Sequence, residues 1–208
     1  MIVVMISGPH QAAGGADGGV CGVLLAAGAG RRAGGPKALR VEPDGTSWLL
    51  RSIAVLRDGG CQAVVVVLGC SADAARALIA GSALDADRQI SVVEAPDWRR
   101  GMGVSLRAGL LAVRPGVWRA ILVHLVDLPD VTAAVVSRLL RQASAGTGVL
   151  ARATFSGRPG HPVLIGVDHL QSITVDLVSD RGAKEYLARH GADGVECGDL
   201  ATGRDRDQ

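Results

Sequence analysis

VCGVLLAAGAGRRAGGPK, Val20 to Lys37, joins two stretches of opposite character. The first is a short continuous run of small apolar residues ending in glycine, the pattern of a strand buried on both faces of a helix-covered sheet. The second holds glycines, two arginines and a lysine with no acid among them. It can neither pack a core nor neutralise itself, which predicts a loop that wraps an anion. Glycine lets the main chain approach phosphate oxygens in left-handed conformations that a Cβ would oppose.

Working outward, the chain repeats that strand pattern. AVVVVLG (Ala63–Gly69), ISVVEA (Ile90–Ala95) and AILVHLV (Ala120–Val126) are similar apolar runs bounded by turn signals. Helical patterns separate them. SWLLRSIAVLRDGG stops at a glycine pair, SADAARALIAG is expected to start on Ser71 as N-cap, and VTAAVVSRLLRQASAG follows the fourth run. Alternating strands and helices predict an α/β fold: three layers, a Rossmann-like mostly parallel sheet with helices on both faces. Ligands of such sheets lie beyond the carboxyl ends of the strands, near the point where strand order reverses. GAGRRAGGPK, APDWRRGMG and DLPD follow the first, third and fourth strands, so the chemistry is expected on one rim.

Composition narrows the field. With 48% hydrophobic residues but three Trp, one Tyr and one Phe, the core must be aliphatic. A net charge of +2 is too small for a nucleic-acid or membrane surface. No apolar run nears the roughly 20 residues that span a bilayer. The four cysteines lack metal-ligand or disulfide spacing and suit a reducing cytoplasm. Residues 1–18 have no cationic segment before their apolar stretch, so the expectation is a mobile leader, not a signal peptide, ahead of one domain over 19–208.

Three known loop types compete for the cationic stretch. A P-loop fails because Pro36 stands where its lysine belongs and Ala38 follows Lys37 in place of a hydroxyl. A dinucleotide fingerprint is met by Gly28, Gly30 and Ala33, but Gly34, Gly35 and Pro36 interrupt the helix it requires. A third type wraps a triphosphate and lays separate cations on it. Here the stretch resembles L-A-A-G-x-S-x-R-M-G-x-P-K, the signature of nucleotidyltransferases, and is most similar to the molybdenum cofactor cytidylyltransferase group. Leu25, Ala26, Ala27 and Gly28 match it, with Arg32, Gly34, Pro36 and Lys37 at the family spacing; Gly30 replaces a serine and Ala33 a methionine.

The resemblance implies a nucleotide-diphospho-sugar transferase type of fold and further site residues. Arg32 and Lys37 would hold the triphosphate, with Leu25 to Gly28 and Gly30 around it. Asp127, in V-D-L-P, corresponds to the family's Mg²⁺ ligand in G-D-M-P; by itself an Asp there also reads as a turn cap. Asp130 reads as a turn residue. A-P-D-W-R-R-G-M-G-V-S-L resembles N-P-x-W-x-x-G-M-x-x-S-L, which places Gly101, Met102 and Ser105 beside the base, with Ala95 in place of the asparagine and Trp98 as a lid over the core or a stacking partner. S-G-R-P-G-H-P-V-L, expected as a rigid loop, puts Arg158 and His161 on the acceptor wall. Asp180 in S-D-R-G-A is either an N-cap or an acceptor contact. Asp205 and Asp207 resemble a D-x-D that offers a second carboxylate, although an acidic end otherwise reads as solvated tail.

The implied activity is Mg²⁺-dependent transfer of a nucleoside monophosphate, CMP from CTP, to a phosphate acceptor of the molybdopterin type, with release of pyrophosphate and a molybdoenzyme as recipient. Sugar-phosphate acceptors, a non-catalytic nucleotide-binding accessory protein and an NAD-dependent oxidoreductase are the alternatives.

Overall fold

The structure, a computed structural model, describes residues 18–30, 34–84, 86–87, 89–114, 116–143, 146–177 and 183–206. Its frame is a seven-stranded sheet in the order β3-β2-β1-β4-β6-β5-β7. The strands are β1 (Gly19–Ala26), β2 (Ala63–Leu68), β3 (Ile90–Glu94), β4 (Trp118–Leu125), β5 (Leu150–Phe155), β6 (Arg158–Gly166) and β7 (Asp193–Glu196). β6 runs antiparallel to both neighbours, β4 and β5, while the other described pairings are parallel. The first four strands are those expected from their apolar runs, and β1 and β2 are buried along almost their whole length.

Helices cover both faces. One face packs on α1 (Trp48–Asp58), α2 (Ala72–Ala80) and α4 (Ala133–Gln142), through residues such as Leu49, Ile53, Ile79, Val136 and Leu139. The other packs on α3 (Met102–Ala112), α5 (Leu170–Asp176) and α6 (Lys184–Arg189), through Leu106, Leu110, Ile173 and Tyr186. The expected three-layer mostly parallel α/β fold is therefore present. α3 sits close because Gly109 has no side chain: a Cβ there would come within 2.7 Å of Val23 and Val67.

Local details depart from the sequence reading. Ser71 occupies the N-cap position of α2 but has a left-handed backbone (φ 56°) and makes no capping bond. A capping residue is normally extended, which aims its oxygen at the first turn; the left-handed bend after Cys70 turns it away. Ser47 does cap α1, accepting from Leu50 N at 3.4 Å. The segment expected as a rigid loop around Arg158 and His161 is the first half of β6. Its prolines are tolerated because the ladder to β5 shifts register between Arg152 and Thr154, where donors are dispensable. Glu196 holds the β5–β6 turn: its carboxylate accepts from the N–H groups of Gly157, Ser156 and Gly198 and from the Thr154 hydroxyl, which pushes its pKa down to about 2.

Candidate active site

Strand order reverses between β1 and β4, since β1 leads outward to β2 and β3 and the chain then returns to β4. Both strands end in ordered continuations. Val126 N donates to Leu25 O, and Cys70 N to Ala27 O, which ties the loops after β1, β2 and β4 into one rim. Across that reversal point Lys37 Nζ lies 2.6 Å from Asp127 Oδ2, with the two side chains 18% and 14% exposed. The sequence-predicted cation and carboxylate, ninety positions apart, are thus brought together.

The glycine loop explains its own composition. Gly30 is left-handed (φ 55°), and a Cβ on it would fall 2.0 Å from Gly35 O. Gly35 N returns a hydrogen bond to Gly30 O at 3.2 Å, so the loop closes on itself there. A short 3-10 turn, Lys37–Leu39, follows Pro36 in place of a long helix. Leu25, Ala26 and Ala27 have side chains buried in the core, so they face the rim through their main chain alone, whereas Gly28 is exposed. Arg32 lies outside the described residues.

Beyond β3, Trp98 closes the gap above Gly69, whose added Cβ would meet the indole at 2.7 Å and Ala27 O at 2.8 Å. It packs on the core beneath as a lid. Gly101 (φ 125°) makes the sharp entry to α3; Met102 is about half exposed and Ser105 is 5% exposed. Ser105 therefore faces the protein interior, while Gly101 and Met102 face the rim.

On the other side of Asp127 stands β6. Arg158 is exposed at its start. His161 is half-buried, and burial foremost, then the charge of Arg152, pushes its pKa down to about 4 against the opposing pull of Asp127. It is a neutral imidazole at physiological pH, a hydrogen-bonding group and not a cation. Asp180 lies outside the described residues, and the N-cap of α6 is Ala183.

The end of the chain is a docked segment, not a solvated tail, as far as Arg206. Asp130 Oδ2 accepts from Thr202 N at 2.6 Å and Thr202 Oγ1 at 2.5 Å, a task for Asp130 that its local turn sequence did not reveal. Gly203 (φ 63°) then lies against the Phe155 ring, where a Cβ would come within 2.2 Å. Arg206 N donates to Asp127 O at 3.0 Å, and its guanidinium pairs with Glu42, which also holds Arg51 at 3.2 Å. Asp205 is thereby carried next to Asp127, along the edge of a cleft of about 710 Å³ shared with Glu42, Arg51 and Asp130. Asp207 lies outside the described residues.

The described residues form no cluster of three or more His, Cys, Asp or Glu that would cage a metal. One or two carboxylates beside a glycine-rich cationic loop nevertheless suit a hard divalent ion, which can take its remaining ligands from phosphate and water. No helix among the described residues is long and apolar enough to cross a membrane.

Comparison with known proteins agrees with this geometry. The chain is 36% identical over 198 residues to nicotine blue oxidoreductase of Paenarthrobacter nicotinovorans, covering 90% of this chain and 92% of that protein. Among solved structures it resembles Rv0371c of Mycobacterium tuberculosis H37Rv (27% identity, 87% and 89% of the two chains, TM-score 0.72). It also resembles that protein's complex with manganese (25%, 86% and 88%, TM-score 0.65). A nucleotidyl transferase of Methanothermobacter shares the fold (20%, 86% and 87%, TM-score 0.69). The family model for the MobA-like NTP transferase domain matches residues 22–195. A glycine loop and a carboxylate meeting where the strand order reverses, within a match that spans most of the sheet, place this chain in the MobA-like NTP transferase domain family of nucleotidyltransferases.

Proposed function

We propose that the protein is a cytoplasmic, Mg²⁺-dependent cytidylyltransferase whose single domain spans residues 19–208 and whose acceptor is a phosphate of the molybdopterin type, with a molybdoenzyme as eventual recipient. The observation that carries this reading is the Lys37–Asp127 pair at the reversal point, on a loop built to meet phosphate through its main chain. In the reaction an acceptor phosphate oxygen attacks the α-phosphorus of CTP, a new P–O bond forms, and the bond to the bridging oxygen breaks as pyrophosphate leaves. The acceptor is already ionised, so no general base is needed, in keeping with a neutral His161 that binds and orients. Lys37 and Arg32 neutralise the triphosphate, Gly101 and Met102 border the base with Ser105 behind them, and Arg158, His161 and Asp180 line the acceptor side. Asp127, with Asp205 or Asp207 as a second carboxylate, would hold Mg²⁺, which when bound offsets charge on the phosphates.

Calorimetric titration with CTP, GTP, ATP and UTP, each with and without Mg²⁺, tests the donor. The reading expects CTP to bind best and its Mg²⁺ dependence to vanish in Asp127→Ala. Tight binding of no triphosphate would overturn it. Pyrophosphate release in the presence of molybdopterin or of sugar phosphates then separates the two acceptor classes.

The name of the 36% identical relative favours a second reading, an oxidoreductase with a dinucleotide in the same glycine loop. It expects NADH binding without metal and reduction of a dye, with no pyrophosphate released. Against it stands the turn after Pro36, which offers no long helix to the pyrophosphate.

A further inference from the structure

The sheet wall beside Asp127 contains a charge that nothing nearby neutralises. Arg152 lies within β5, opposite Val163 of β6, and so shares the face of Val163 and Ile165. Its Nη2 donates to Gly160 O at 3.3 Å, and its Nε is enclosed without a partner. Among the described residues no carboxylate pairs with it. An arginine cannot shed its proton, so a partly buried one beside neutral groups carries a standing desolvation cost. At this strand position an aliphatic residue would avoid that cost. The residue keeps partial access to solvent, and its guanidinium extends toward the rim end of β6, to Gly160 O.

Its placement relative to the reacting centre is set by the sheet. By register Arg152 is level with Val163 of β6 and Val123 of β4, four positions short of Asp127, but its guanidinium reaches rimward to Gly160 O, the residue before His161. Arg152 and Asp127 both act electrostatically on His161. Neighbouring strands lie about 4.8 Å apart, so the guanidinium stands two strand spacings, roughly 10 Å, across the sheet from the strand that leads into Asp127.

We propose that Arg152, with His161 beside it, forms a subsite for a second anionic group of the acceptor, a phosphate or carboxylate about two strand spacings from the phosphate that attacks CTP. The proposal rests on the nucleotidyltransferase reading and adds a chemical requirement to it: the acceptor is anionic at two separated points. A guanidinium is suited to this because its planar fork pairs with either oxyanion.

The test uses the full chain saturated with a non-hydrolysable CTP analogue and Mg²⁺, so that the triphosphate site is filled. Two probes are titrated calorimetrically, a straight five-carbon chain with a phosphate at both ends and the same chain with one phosphate. Wild type is expected to prefer the two-ended probe by about tenfold, the worth of one charge-assisted hydrogen bond. Arg152→Gln should abolish that preference and Arg152→Lys should retain part of it, with affinity for the analogue reporting that each variant is folded. Equal binding of the two probes by wild type, or an unchanged preference in Arg152→Gln, overturns the subsite while leaving the nucleotidyltransferase reading intact. Failure of wild type to bind the analogue at all overturns that reading, and the subsite with it.

Discussion

Lys37 and Asp127 form a close ion pair, 2.6 Å from nitrogen to oxygen, between two loops that leave adjacent parallel strands. The pair fixes the spacing of the rim where a triphosphate would enter. Lys37→Ala removes one charge-assisted contact, about 1.5–3 kcal/mol, so CTP affinity should fall roughly ten- to a hundredfold. Lys37→Arg should recover part of it, and calorimetry measures both. An unchanged affinity in Lys37→Ala would separate this lysine from the nucleotide.

Gly30 tests the loop itself. The family signature has serine at this position, yet the backbone here is left-handed and the Cβ direction is filled by Gly35 O. Placing the signature serine there should therefore weaken the site. A left-handed non-glycine residue costs about 1–2 kcal/mol before any clash. Gly30→Ser should lower nucleotide affinity at least tenfold with little effect on the melting temperature, because the strain is confined to the rim. Tighter binding by Gly30→Ser would show that the loop adopts another path.

Asp130 fastens the C-terminal segment through two hydrogen bonds to Thr202. Thr202→Val keeps the shape and deletes the hydroxyl, and Asp130→Asn removes the charge. Each should loosen the segment and speed tryptic cleavage at Arg204 and Arg206, while Thr202→Ser stays near wild type. A digestion pattern identical to wild type in Asp130→Asn would remove this residue from the role.

His124 is fully enclosed in β4, with Nδ1 unpartnered, and burial foremost pushes its pKa from 6.5 down to about 3. The folded protein thus binds fewer protons than the unfolded chain between those two values, and stability falls as pH drops through that window. His124→Leu removes both the orphaned nitrogen and the titration. At neutral pH the variant should lie within about 1 kcal/mol of wild type, and its advantage should grow as the pH is lowered toward 4. Urea unfolding midpoints across that range give the answer; a difference that stays constant would exclude His124 as the source.

Glu196 works in the opposite chemical sense with the same pH direction. Its pKa is lowered from 4.5 to about 2 by the N–H groups it holds, so its contribution is fully present above 4.5 and lost as pH falls through 2. Glu196→Gln should be less stable than wild type at neutral pH and equal to it in strong acid. Persistence of the gap in acid would mean that hydrogen-bond geometry, not charge, holds the turn.

What could be read in advance follows burial. β1 to β4 announce themselves because strands covered on both faces become unbroken apolar runs, and the chemistry after β1 and β4 follows from where such sheets bind ligands. β5 and β6 carry Arg152, Thr154, Pro159 and Pro162 among their apolar residues, so neither run nor alternation stands out. Nothing in the local sequence around Arg152 marks it out; only the strand brings it beside His161. The tie between Thr202 and Asp130 joins residues 72 positions apart through side chains common in any turn, and no local pattern could signal it. The Lys37–Asp127 contact joins two residues that their motifs single out separately, but nothing in the sequence pairs them.

The reversed course of β6 has a consequence for how such a site can diversify. Because β6 enters the sheet from the rim, the Ser156–Gly157 turn rises beside the loops that follow the parallel strands. Residues inserted at that turn would heighten one bank of the site without shifting the register of β1, β2, β3 or β4. The bank facing the glycine loop can therefore be rebuilt while the half that carries that loop stays fixed, which would let one scaffold change what it modifies and keep what it spends.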